Sequence, residues 1–234
     1  MGNINQWHLG DTSKNYESNG NPGIVSTGKG DYGGISYGLY QFSSNQGSVM
    51  PFIKYSGYGD EFTGLTVNST AFIAKWKEIG RNDPIGFTNA QHDYAKIMYY
   101  DIQINELKRD GIDLSNRSAG VQDMIWSTSI QFGRHTSLIQ NALKEKYGTN
   151  YDINDVSDIQ IIQTVQDYKI NHNDTLFKRS PAMWEGLKAR AIAEKSDLMS
   201  LVNHDFTQTQ NSTSDTQKNG VFDFGDKGED VKEM

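Results

Sequence analysis

The chain has 234 residues, with 22 basic and 29 acidic side chains, a net charge of −7 and no cysteine. That length suits one substantial domain plus a short appendage, able to bury a core without disulfides or metals. The missing cysteine excludes disulfide scaffolds, thiolate–zinc sites and cysteine nucleophiles, and the acidic balance lacks the basic footprint that nucleic-acid binding requires.

In chain order, residues 1–10 have neither a basic region nor an apolar stretch, so no secretory signal is expected there. A short helix is expected over residues 12–18. Residues 19–70 are rich in Gly, Ser and Tyr, with turn signals at Asn21-Pro22-Gly23, around Gly28 and Gly30, and at Gly33-Gly34. Between these turns, residues 35–42 (ISYGLYQF) read as a strand. From about residue 70 the periodicity is helical. Thr88 and Gln91 form a capping-box pattern ahead of a helix to about Leu107. Ser118 opens the clearest helix, with Val121, Met124, Ile125, Thr128, Ser129 and Phe132 on one stripe, and Gly133 closes it. Ser157 with Gln160 caps a helix towards Lys169, and Ser180-Pro181 starts one that runs to about Leu201. The fold class expected is α+β, mostly helical, with a small β-hairpin lobe.

Residues 207–220 (TQTQNSTSDTQKNG) offer nothing to anchor a core and read as a polar linker. Apolar residues return in 221–234, and from Thr207 onwards six acids stand against three lysines. The expected organisation is a domain over 1–206, a linker over 207–220 and the start of a further module over 221–234. No apolar run approaches the roughly 20 residues that a membrane crossing needs, so no membrane insertion is expected.

Several chemistries find no support. The five histidines are scattered and none forms an HxxxH pair, so no metal and no cofactor are expected. Gly34-Ile35-Ser36-Tyr37-Gly38 matches the nucleophile-elbow pattern, but no alternating strand–helix architecture surrounds it. A phosphate-cradling GxxxxGK[ST] loop is absent. A pair of carboxylates is more informative. Glu17 closes the short expected helix, and Asp31 follows fourteen residues later in a glycine-rich turn before the strand. A helix-end acid facing a hairpin that carries a second carboxylate can cleave a glycosidic bond. One acid, its pKa raised, protonates the leaving oxygen, and the other activates water or attacks directly. Spacing alone equally allows both to be ordinary surface acids.

The segments Glu17-Ser18, Gly30-Asp31-Tyr32-Gly33-Gly34 and Tyr37-Gly38-Leu39-Tyr40-Gln41 resemble the catalytic segment of the lysozyme-like superfamily, as in goose-type lysozymes and soluble lytic transglycosylases. The wider series of motifs at 16–20, 30–41, 72–77, 91–94 and 126–133 is similar to phage and secretion-spike-associated proteins with a chitosanase- or lysozyme-like domain. It covers most of residues 10–205. The resemblance implies a cell-wall glycan hydrolase with Glu17 as general acid and Asp31 as the second carboxylate of an inverting reaction. It also implies Gln41 and Gln131 as glycan-binding positions and Tyr37 as a sugar platform. Goose-type enzymes carry a further acid just after the Leu-x-Gln strand, where this chain has Ser43-Ser44. Without a second working carboxylate, a lytic transglycosylase route is the alternative.

The other candidates have structural roles. Trp76, Trp126 and Trp184 lie on helical segments and are expected in the core, and His92 is expected as a hydrogen-bonded structural histidine. Arg190 and Glu194 form an i,i+4 pair. Residues 225–234 resemble the opening of a peptidoglycan-binding helical module. Together these features imply a phage endolysin-type muramidase. It would act as a monomer on the β-1,4 bonds of bacterial peptidoglycan strands, made in the host cytoplasm and then released to the wall, or carried on the virion. The rivals are a lytic transglycosylase or chitosanase on the same fold, a non-catalytic glycan-binding tail or spike component, and an amidase or endopeptidase of the peptide stems.

Overall fold

The computed structural model of the chain describes residues 7–13, 20–26, 34–45 and 47–202. The expected linker and terminal module lie outside the described residues, as do most of the short helix expected over 12–18 and both Glu17 and Asp31.

The described chain is mostly helical, with one small antiparallel sheet. Strands β1 (Ser36–Tyr37) and β2 (Phe42–Ser43) pair Ser36 with Ser43 and Tyr37 with Phe42, and Val25 bridges to Tyr37. The single strand expected over 35–42 is therefore a tight hairpin. Gly38 at φ 72° and Gln41 at φ 51° turn the chain in the left-handed region, which glycine enters without a Cβ penalty. Ser36 sits in a two-residue strand followed by this turn, so no helix follows it as a nucleophile elbow requires.

After the hairpin come α1 (Val49–Tyr55), α2 (Thr70–Asn82) and α3 (Pro84–Ala95). The helix α1 lies inside the Gly- and Tyr-rich stretch that carried no helix signal. Ser69 caps α2 by accepting from the Phe72 N–H. The helix expected from Thr88 begins earlier, because Asp83 accepts from the Gly86 N–H while Pro84 occupies the first turn. Thr88 thus falls within α3. A π-helical stretch, Lys96–Tyr100, joins α3 to α4 (Asp101–Arg109).

The central helix α5 (Ala119–Phe132) ends at Gly133, φ 92°. Next are α6 (Leu138–Tyr147) and α7 (Asp158–Asn171), the latter opened by the expected Ser157–Gln160 capping box. A short α8 (Asn173–Leu176) and a 3₁₀ turn, Pro181–Met183, lead into α9 (Trp184–Val202). The proline turn therefore precedes the last α-helix rather than forming its first turn.

Two cores result. An aromatic one gathers Tyr37, Phe42, Phe52, Phe62, Phe72, Trp76, Phe87 and Trp126 around the hairpin and α1–α3. An aliphatic one gathers Leu114, Val121, Met124, Ile125, Ile139, Ile161, Ile162, Val165 and Leu198 among α5, α6, α7 and α9. Because α5 contributes Trp126 to the first and Met124 and Ile125 to the second, it is the shared wall of both lobes. Twelve of its fourteen residues are buried.

On the last helix Glu194 is buried and reaches a second helix: it lies 3.7 Å from the buried Lys169 of α7, with Gln166 donating to it at 3.4 Å.

Candidate active site

The site residues expected from sequence fall into three groups. Glu17 and Asp31 lie outside the described residues. Tyr37 and Gln41 belong to the hairpin, and Gln131 lies near the end of α5.

Tyr37 does not offer a face to a sugar. Its ring has no exposed surface and packs edge-on against Phe72 at 5.4 Å and tilted against Trp76 at 5.1 Å. Burial pushes its hydroxyl pKa up, and the hydroxyl donates to Asn68 Oδ1 at 2.9 Å. It is a core residue that holds the hairpin onto α2. Gln41 is half-buried at the turn, and its Nε2 donates to the Gly38 carbonyl at 2.8 Å. Gln131 is 7% exposed and lies eight residues beyond Asp123 on α5, with Ser127 between them. Four-residue steps place these three side chains along one helical face.

The chain on either side of each expected acid is held by a well-defined frame. Upstream of Glu17, residues 7–13 dock on α5 through Asp123. One carboxylate oxygen accepts from Trp7 Nε1 at 3.1 Å and from the Gly10 N–H at 2.8 Å. The other accepts from the Thr12 N–H at 3.0 Å and the Thr12 hydroxyl at 2.6 Å. Asp123 is fully buried, and burial pushes its carboxyl up to about 6, against the lowering pull of the Thr12, Gly10 and Trp7 donors. Gly10, at φ 85°, lies flat against Trp126, where a Cβ would come within 2.8 Å of the indole.

Downstream of Glu17, residues 20–26 are fastened to α2 and α3. Trp76 Nε1 and Gln91 Nε2 both donate to the Pro22 carbonyl at 3.0 Å. Gly23 meets Gly80 backbone to backbone, so a Cβ on Gly80 would sit 2.4 Å from the Gly23 Cα. Gln91 also accepts from the Leu39 N–H at 2.8 Å, which ties the hairpin turn to the same point.

The two ends that flank Asp31 are paired with each other. The Ser26 N–H donates to the Ser36 carbonyl, and the Ser36 N–H donates to Ser26 Oγ, both at 2.8 Å. Across the top of the hairpin, the Tyr40 hydroxyl and His92 Nδ1 lie 2.9 Å apart, and the His92 ring stacks on Trp126 at 4.6 Å. His92 and Trp126 therefore take the structural roles expected of them, joining the hairpin, α3 and α5. Ser43, at the position where goose-type enzymes carry an acid, is buried, and its N–H donates to Ser48 Oγ at 2.7 Å.

Sequence reading missed Asp123 and Gln91. A lone aspartate inside the apolar run Val121–Trp126 was the available signal, since a carboxylate there must be satisfied by something outside its own helix. Gln91 reads in the sequence only as the far half of a capping box with Thr88 and as part of the 91–94 motif, not as a tie between α3, the hairpin and residues 20–26. Among the described residues, no group of three or more His, Asp or Glu is placed to hold a metal ion, and no helix is long and apolar enough to cross a membrane. An open pocket of about 540 Å³ lies between α6 and α7, lined by Tyr147, Gln163, Thr164 and Tyr168 among others, and none of the expected site residues lines it.

Comparison with known proteins places this frame in context. Residues 9–195 match the family model described as type VI secretion system spike protein VgrG3-like, C-terminal. The chain is 46% identical over 196 residues to the type VI secretion system spike protein VgrG3 of Vibrio cholerae; the aligned region covers 83% of this chain and 19% of that protein. The chain thus spans about a fifth of that relative's length. Among solved structures, a mutant chitosanase from Bacillus subtilis MY002, complexed with 6 GlcN, superposes with a TM-score of 0.61 at 16% identity, covering 83% of this chain and 89% of that one. The native chitosanase gives 0.58 at 15% identity, with 79% and 84% covered. These likenesses establish a lysozyme-like α+β fold. The matched family also overturns the phage setting: the relatives are components of a type VI secretion spike, so neither release as a phage lysis protein nor carriage on a virion stands.

Proposed function

The chain belongs to the VgrG3-like C-terminal family of type VI secretion spike proteins, and on that premise we propose that it is a glycoside hydrolase acting on bacterial peptidoglycan. In this reading it is a muramidase that a secretion spike carries to its target. Glu17 protonates the glycosidic oxygen as the bond to the anomeric carbon breaks. Asp31 accepts a proton from the water that attacks that carbon from the opposite face, inverting its configuration. Gln41 and Gln131 bind the glycan.

One observation carries the reading. In a fold shared with chitosanases, the chain flanking Glu17 is riveted on one side to α5 and on the other to α2 and α3, and the ends flanking Asp31 are fastened to each other on the hairpin. Acid–base catalysis needs its carboxyl groups held in place, and the anchored described residues on either side of each acid support the reading. A second reading, the lytic transglycosylase route with one acid and a sugar hydroxyl as nucleophile, draws on Ser43. That residue is committed to the hairpin and provides no carboxylate.

Mass spectrometry of purified peptidoglycan after digestion separates the chemistries. New reducing ends mark hydrolysis, anhydro ends mark the transglycosylase, and new amino groups mark cleavage of peptide stems. Replacing Glu17 by Gln is expected to lower the rate by about 100-fold or more while binding to cell walls persists. A Glu17→Gln protein that cuts as fast as the unaltered one rules out the acid assignment.

A further inference from the structure

The pocket of about 540 Å³ between α6 and α7 has no part in the reaction as proposed. Its wall on α7 is one stripe. Gln160, Gln163, Thr164, Asp167, Tyr168 and Asn171 follow one another at steps that keep them on a single helical face, away from the core residues Ile161, Ile162 and Val165. The opposite wall is the end of α6, with the buried Ala142 at its floor and Glu145, Lys146 and Tyr147 above it. Both tyrosine rings are half-buried and braced from behind. Tyr168 stacks on His172 at 4.1 Å, and Tyr147 packs on Tyr151 at 5.7 Å. The two helices are also tied across the recess, because His172 Nε2 lies 3.3 Å from Glu145 Oε2.

The polar groups are divided between those already engaged and those left for a ligand. Glu145 faces His172, and Asp167 accepts from Lys195 at 2.7 Å. Among the described residues, Lys146 has no carboxylate partner, and the side-chain amides of Gln163 and Asn171 have no hydrogen-bond partner. The recess thus offers two braced aromatic rings, two uncommitted amides and one uncommitted cation, in a volume within the range of about 300–1,000 Å³ usual for small-ligand sites. A pyranose matches that set. Its C–H face packs on an aromatic ring, and its hydroxyl and acetamido groups both donate and accept, as an amide side chain does. The cation suits a sugar chain that also carries carboxylates.

We propose that this recess is a second glycan-binding site. It takes an N-acetylhexosamine of a cell-wall strand against Tyr147 and Tyr168, hydrogen-bonded by Gln163 and Asn171, with a carboxylate of the neighbouring sugar's substituent at Lys146. The choice of wall glycan as occupant rests on the function proposed above, whereas the recess itself does not depend on how the strand is cut. Holding a strand at a point that does not cleave it keeps the protein on an insoluble polymer between cuts and raises the effective concentration of glycan at the hydrolytic site.

The test is nuclear magnetic resonance of the full chain carrying Glu17→Gln, following the backbone amides of α6 and α7 as three probes are added separately: a chitin oligosaccharide, soluble wall strands bearing their stem peptides, and free stem peptides. Both saccharides are expected to shift amides within 142–147 and 163–171, the strands more tightly at low salt. Tyr168→Ala should weaken both by about 3- to 10-fold, as the loss of one aromatic contact implies. Lys146→Glu, a change on the exposed surface, should weaken only the stem-bearing strands, by about 3- to 10-fold at low salt, and the loss should vanish in about 1 M salt. With Glu17 restored, neither exchange should alter cutting of short soluble strands, while cutting of insoluble wall slows. Shifts confined to the hairpin and the end of α5, or affinities unchanged in both variants, overturn the site. Shifts of α6 and α7 by free stem peptides but not by the chitin oligosaccharide overturn it in favour of a peptide site. If digestion of wall releases no new glycan ends while the saccharides still shift α6 and α7, the hydrolytic reading fails and the binding site stands.

Discussion

Gly38 sits at φ 72° in the hairpin turn, and a Cβ there would lie 2.2 Å from Gln91 Oε1 and 2.9 Å from Trp76 Cζ2. The amide could swing away only by giving up the Leu39 N–H, and the indole is locked in the core. Gly38→Ala should therefore cost about 1 kcal/mol for the left-handed backbone and about 1–3 kcal/mol for the buried amide left without its acceptor. Urea denaturation checks this: the midpoint should drop by the equivalent of about 2–4 kcal/mol at constant slope, and a drop below about 0.5 kcal/mol would contradict it. The sequence announced this glycine through its motif without showing why it is needed, because Gln91 lies some fifty residues away. Tyr37 carried the opposite lesson. An aromatic residue beside two glycines resembles a sugar platform, yet alternation along a strand does not say which face is core until α2 is packed on one side. Asp123 was legible only as an anomaly, since its partners lie in a segment with no periodic signal.

Among the helices, legibility followed the strength of the local end signals. The capping box at Ser157 and the glycine after Phe132 fixed their boundaries, because both act within one turn. The boundary near Thr88 moved because Asp83-Pro84 is the stronger start, and α1 was hidden by its seven-residue length and glycine-rich surroundings. The contact between α7 and α9 was beyond sequence reading altogether. There Lys169 and Glu194 are both nearly inaccessible, 3.7 Å apart, and neither Lys169 Nζ nor Glu194 Oε1 has a hydrogen-bond partner. Burial holds the Lys169 ammonium below the usual lysine range, with Glu194 pulling it back up and Arg190 adding to the lowering. Such a pair contributes little net stability, but removing one member leaves the other's buried charge without its ion-pair partner. Lys169→Met is expected to destabilise the fold by about 3–5 kcal/mol, and Lys169→Met with Glu194→Gln should recover most of that loss. Denaturation of the single and double variants measures the coupling. Additive losses would show that the two charges do not depend on each other.

At the scale of the whole molecule, the division into an aromatic and an aliphatic core raises the question of whether they are one folding unit or two. Helix α5 answers it physically. Its Trp126 face is buried in the first core and its Met124 and Ile125 face in the second, so neither core can open without exposing one side of that helix. Its polar stripe is engaged as well, with Asp123 holding the N-terminal arm and Gln122 donating to the Leu114 and Arg117 carbonyls. Freeing α5 would cost the burial of large side chains on both faces, each worth about 1.5–3 kcal/mol, which far exceeds what either lobe could retain by staying folded alone. The two lobes should therefore unfold in one cooperative step. Near-ultraviolet circular dichroism follows the aromatic core, and hydrogen exchange at the α7 amides follows the aliphatic one. The same denaturant midpoint is expected from both. Separate midpoints would mean that α5 stays docked on one lobe while the other melts, and the frame around the expected acids would then have to be understood as the property of the hairpin lobe alone.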